Sequence, residues 1–219
     1  MTTQPDPAGG DAPPRRPAEI AARIVAPMRH VDSFGAGPLA DLRRLDPNGA
    51  LAEPTLHRLL ARHATEQEVG QTGFAAWALV LHAAALAAPD HLSVPRREDE
   101  PAEAEAQEQF WAERSRHARK RFGEALFKAG LSERRFAALL DATEDELRVA
   151  LPRAVRFLVA KGERLPVLAV LDLVASARHL DDDRARSARH RIARGYYRAE
   201  SDATKPKSTQ SPASPGAAA

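Results

Sequence analysis

The 219-residue chain contains no cysteine. Disulfides, thiolate metal sites and a cysteine nucleophile are therefore excluded. Aromatic side chains are scarce, with two tryptophans, two tyrosines and seven phenylalanines. So few rings, together with few β-branched residues, disfavour a sheet-rich fold and recognition of bases by stacking. No apolar run approaches the roughly 18–20 residues that span a bilayer. The opening MTTQPDPAGGDAPPRRP has no apolar core of the kind a secretory signal requires. A cytoplasmic protein with no membrane partner is the expectation.

Catalytic signatures are missing as well. The chain has no G-x-S-x-G, no glycine-rich phosphate loop with a lysine, no G-x-G-x-x-G and no H-E-x-x-H. His57 and His63 are six residues apart, on different faces of a helix, with no acid nearby to complete a ligand set. His82 lies in an apolar stretch and reads as a hydrogen-bonded core residue. The acidic runs Glu98–Glu100 and Asp181–Asp183 read as a solvated linker and as favourable charge at a helix N-terminus. No enzyme activity, metal or cofactor is expected.

What the chain has in quantity is alanine, leucine, glutamate and arginine, a composition that favours helix. The expected class is all-α: two small helical bundles joined by a charged linker, with disordered tails at both ends. Residues 1–16, rich in proline and glycine, form the first tail. An N-terminal helical lobe covers 17–92, opening with Pro17 at a helix start and containing a second proline-led helix from Pro54. Pro27 is placed to bend or end the first helix. Residues 74–88 are apolar nearly all round, which marks a buried helix. An acidic linker is expected at 93–108, although its Ala/Glu content could extend the next helix backwards. A basic helical lobe follows at 109–199, and a Ser/Pro/Lys tail from 200. Within the basic lobe, Gly130 is read as a helix stop, Ser132 as an N-cap, and Thr143 with Glu146 as a capping box. Lys161-Gly162 closes that helix, which Pro152 should kink or split. No strand is expected.

The net charge of +2 conceals an asymmetry. Residues 111–198 carry 20 Lys and Arg against 12 Asp and Glu, a balance of +8. Such a half-chain is a candidate for a polyanionic partner. The arginines lie beside helical cores: Arg153 and Arg156 three apart on one face, Arg134 and Arg135 just after a helix start, and Arg119, Lys120 and Arg121 spread around a turn. Arg43 and Arg44 form a separate pair in the first lobe. Guanidinium groups suit phosphate because the planar fork makes two charge-assisted hydrogen bonds. Aromatic platforms near this charge are few, with Trp111 near the basic helix and Tyr196-Tyr197 near its end, so backbone tracking rather than base reading is indicated.

The order of motifs resembles the small subunit (CasB family) of the type I-E CRISPR Cascade complex. The resemblance is carried by Gly123 to Leu126, Ser132-Glu133-Arg134-Arg135, Leu139-Leu140, Leu147, and Arg153 to Leu158. A second match is the segment from Gly37 through Leu39 and Leu42 to Arg43-Arg44. The matches cover residues 35–90 loosely and 120–175 well. The resemblance implies a non-catalytic helical subunit that acts in antiviral defence. It would touch guide RNA and the target and non-target (displaced) DNA strands, and so stabilise the R-loop. Partners would be the backbone and large subunits of Cascade and a second copy of itself. The candidate nucleic-acid contacts, from their charge and helix placement, are Arg43, Arg44, Arg119, Lys120, Arg121, Arg134, Arg135, Arg153 and Arg156.

Two other readings stand beside it. Gly130-Leu131-Ser132 could be the turn of a free-standing helix-turn-helix regulator, with Glu133–Leu140 as a short recognition helix. The chain could also be an all-helical protein-interaction module.

Overall fold

A computed structural model describes residues 16–47, 49, 53–95, 99–178 and 182–205. The tails at 1–15 and 206–219, whose disorder was expected, lie outside the described residues, as do Glu98 and Asp181 of the two acidic runs. The fold is all-α, as expected, with eleven α-helices among the described residues.

Helix α1 (Pro17–Val25) carries its proline in the first turn, and Pro27 follows in a 3-10 turn over Ala26–Arg29. Helices α2 (Val31–Phe34) and α3 (Ala36–Arg44) meet at Gly35, whose φ of 96° lies in the region glycine tolerates. Helix α4 (Pro54–His63) turns Leu56 and Leu60 inward. Helix α5 (Glu66–Thr72) was not anticipated, yet Thr65 and Glu68 form a full capping box at its start. It bends by 81° into α6 (Phe74–Ala87).

Helix α6 is the buried axis. Nearly all its side chains are inaccessible, and it packs on α3, α5, α9 and α10. An apolar helix with no polar face is stable only when neighbours cover every side. No single helix among the described residues is long and apolar enough to cross a membrane.

Helix α7 (Ala104–Lys128) begins within the expected acidic linker, because the Ala/Glu composition carries the helix back beyond Gln109. The preceding acids are stitched to it: Trp111 Nε1 donates to Glu100 at 3.0 Å, and Arg114 pairs with Asp99 at 3.7 Å. The helix ends at Gly130, where Leu131 N reaches Leu126 O and Gly130 N reaches Phe127 O, a Schellman closure. Ser132 stands at the N-cap of α8 (Glu133–Asp141), but its hydroxyl makes no capping bond.

Helix α9 (Glu144–Ala160) starts from the expected Thr143/Glu146 box and ends in a second Schellman closure at Gly162. Pro152 does not split it. Proline costs α9 the bond to the Arg148 carbonyl, but buried Leu147, Leu151, Val155 and Leu158 hold both halves on the core.

Contrary to the expectation of no strand, Leu92–Ser93 (β1) and Leu165–Pro166 (β2) pair in parallel. Two residues are too few to show alternation in a sequence. Helix α10 (Val167–Ala177) is largely buried, and α11 (Asp183–Thr204) lies along α7. Helix α11 continues to Thr204, beyond the tail boundary expected at residue 200. Side chains from Ile20 to Tyr196 contribute to one hydrophobic cluster, with α1 packed on α7 and α10.

Candidate nucleic-acid interface

The crossing of α7 and α11 creates a cationic concavity in the chain's second half. Two glycines permit it. A methyl carbon on Gly123 would overlap the Ile192 carbonyl oxygen and lie 2.6 Å from Tyr196 N. One on Gly195 would overlap the Lys120 carbonyl oxygen. The helices therefore touch backbone to backbone, which brings the side chains flanking the crossing unusually close.

On one flank, a cleft of about 250 Å³ is lined by Arg116, His117 and Lys120 of α7 and by Arg191, Arg194 and Arg198 of α11. Lys120 pairs with Glu124 at 3.5 Å, and Arg198 with Asp202 at 3.9 Å, both at exposed or half-exposed positions. Arg119, the neighbour of Lys120 in α7, donates its Nε–H to Asp172 Oδ2 at 2.7 Å. Burial pushes the Arg191 pKa down, and Arg119 and Arg116 add to that shift while Asp172 opposes it. Arginine nevertheless stays charged at neutral pH. Like charges this close repel one another, and an anion entering the cleft relieves that repulsion.

The nine arginines and lysines singled out in the sequence fall into different environments. Lys120 lines the cleft, whereas Arg119 is paired with Asp172 and is not part of the lining. Arg43 has a structural role: its Nε donates to Ala85 O at 2.9 Å and its Nη2 to Ala88 O at 2.6 Å, capping α6. Arg44, Arg121, Arg134, Arg135, Arg153 and Arg156 are exposed on α3, α7, α8 and α9. None of these six forms an ion pair among the described residues.

Sequence reasoning missed Arg116, Arg191, Arg194 and Arg198. Their spacing was the available signal, since 116 and 120 are four apart, and 191, 194 and 198 are three and four apart. Arg178 and Arg189, also passed over, are internal clamps. Arg178 donates to Thr72 O and pairs with Glu144. Arg189 donates to Ser176 Oγ and to the carbonyls of Leu140 and Ala142 at the end of α8.

The aromatics do not form a platform in the cleft. Trp111 is buried, and Tyr196 stacks on Phe136 at 4.0 Å with its hydroxyl donating to Leu131 O. Tyr197 reaches solvent, with its hydroxyl on Glu133. His82 is buried with Nδ1 at 2.8 Å from Leu42 O, as a core histidine should be, and His57 packs on the Phe74 ring. Among the described residues, no group of three or more His, Asp or Glu could hold a metal ion.

Fold and cleft together define an all-helical protein whose exposed charge is organised by helix packing. The family model described as CRISPR-associated protein Cse2 matches residues 38–197, and the chain belongs to that family. It is accordingly a Cse2 (CasB) subunit of a type I-E CRISPR Cascade complex, a structural subunit of that assembly. The free-standing regulator is set aside by this membership. No curated protein and no solved structure matches the chain.

Proposed function

We propose that this Cascade subunit is non-catalytic and binds the sugar-phosphate backbones of guide RNA and of the target and displaced DNA strands, stabilising the R-loop. The observation that carries this reading is the α7–α11 cleft, where Arg116, Lys120, Arg191, Arg194 and Arg198 converge. Arg44, Arg121, Arg134, Arg135, Arg153 and Arg156 add further exposed positive charge outside the cleft. Among the described residues, no phenylalanine, tyrosine or tryptophan lines the cleft, which supports sequence-independent contact, with guide pairing supplying sequence and the protein supplying charge. The remaining Cascade subunits and a second copy of this chain complete the set of partners.

The test is DNA binding by the assembled complex across a salt series. Arg116→Ala/Arg194→Ala should weaken binding and lower the slope of log K against log salt by about 0.7–0.9 per lost phosphate contact. Arg153→Ala/Arg156→Ala, tested in parallel, should do the same. Unchanged affinity and slope in both double variants would refute the electrostatic reading.

A further inference from the structure

A second and larger concavity, about 1100 Å³, lies among α1 and its 3-10 extension, α2, the start of α3, and α4. Its cationic lining is Arg23, Arg29, Arg58 and Arg62, with His30 and His63. Among the described residues, not one aspartate or glutamate lines it. Arg23 is tied to Glu19, whereas Arg29, Arg58 and Arg62 are exposed and form no ion pair among the described residues.

The rest of the groove is apolar, built from Ile24, Pro27, Phe34, Pro38, Leu59 and Pro95. Two hydroxyls reach it, and both already donate within the protein: Ser33 Oγ to His30 O at 3.0 Å and Thr55 Oγ1 to Asp41 Oδ2 at 2.9 Å. Among the described residues, Phe34 is the one phenylalanine, tyrosine or tryptophan in this lining, so the lining offers a nucleobase little stacking surface. It suits an aliphatic side chain flanked by carboxylates. The apolar surface takes the aliphatic group, and the guanidinium forks take the carboxylates in bidentate pairs. The volume also exceeds what a single phosphate or small anion would fill.

We propose that this groove docks an acidic peptide segment, carrying aliphatic side chains between its carboxylates, from a neighbouring protein subunit of the assembly. The inference rests on membership of a multi-subunit complex but not on the DNA-binding role of the α7–α11 cleft. The groove and the cleft are separate surfaces with different ligand chemistry. The cleft is lined by arginine, lysine and histidine around Gly195, while the groove sets its arginines and histidines beside aliphatic, proline and phenylalanine side chains.

The experiment uses the full chain and a fluorescently labelled short peptide alternating glutamate and leucine, followed by anisotropy. Saturable binding is expected, weakened at least about tenfold by Arg58→Glu/Arg62→Glu at two exposed positions. A glutamate–serine peptide should bind more weakly, and a lysine–leucine peptide not at all. Arg116→Ala/Arg194→Ala should leave peptide binding unchanged, so failure of the cleft reading and failure of this one are distinguishable. No binding of the glutamate–leucine peptide, or equal binding by the double variant, overturns the proposal. Displacement of the peptide by oligothymidylate, lost in Arg58→Glu/Arg62→Glu, would reassign the groove to nucleic acid and overturn it too.

Discussion

Gly123 of α7 and Gly195 of α11 face each other across a helix crossing that has no room for a side chain on either. The cationic cleft depends on this contact, because only backbone-to-backbone packing brings Arg116 and Lys120 within reach of Arg191 and Arg194.

Gly123→Ala is therefore expected to destabilise the protein by about 1–3 kcal/mol, through overpacking against unyielding backbone. The roughly 1 kcal/mol that alanine gains over glycine in a helix does not offset this. Gly70 supplies the control. A Cβ there meets open space, so Gly70→Ala should stabilise the protein by up to about 1 kcal/mol. Urea unfolding of the two variants checks the pair. Equal effects would contradict the crossing geometry.

Arg43 and Arg44 are neighbours with opposite expected phenotypes. Arg43→Ala removes two hydrogen bonds from carbonyls at the end of α6 and should cost about 1–2 kcal/mol, allowing for its partial exposure. Arg44→Ala should leave stability within about 0.5 kcal/mol. Denaturation midpoints separate the two residues, and only the Arg44 variant can then be used to test binding at this site without a stability correction.

Asp172 is the carboxylate that opposes the crowding of Arg119, Arg116 and Arg191. Asp172→Asn should destabilise the fold by about 1–3 kcal/mol, since it leaves the half-buried Arg119 without its charged partner. Part of that loss is like-charge repulsion, so it should shrink when salt is raised from about 0.1 M to about 1 M. A loss that is indifferent to salt would place the role of Asp172 in packing instead.

His82 has its pKa pushed below its ordinary value, first by burial and then by Arg156, while the hydrogen bond to Leu42 and the charge of Asp46 pull it upward. A folded-state pKa below the unfolded value means that the unfolded chain takes up the proton first. Stability is then fully present above about pH 6.5 and declines as the pH falls toward the folded-state value. Thermal unfolding between about pH 7.5 and 5.5 should show this decline, and His82→Gln should flatten it.

The local signals in the chain were readable where a residue's own covalent chemistry decides the outcome. Pro17 and Pro54 open helices, Gly130 and Gly162 close them, and Thr143 with Glu146 caps α9. The same box at Thr65 and Glu68 was equally visible but passed over, because α5 is short and lacks a long apolar stripe. Pro152 shows the limit of such signals. Its local cost is real, and burial of the flanking leucines and valine outweighs it. The β1–β2 pair could not be foreseen, since each strand is two residues long and its partner is more than seventy residues away.

The sequence by itself determined the all-helical class, the excess of positive charge in the second half and the family resemblance. These follow from composition, helical periodicity and residue order. Tertiary structure alone decided which cations are available. Arg43 and Arg119 looked like their exposed neighbours in the sequence, yet one caps α6 and the other pairs with Asp172. Arg116, Arg191, Arg194 and Arg198 acquired significance only when α7 and α11 crossed at two glycines. The physical reason is that a charge is assigned to a role by what lies within a few ångströms of it. For residues seventy or more positions apart, that distance is set by packing.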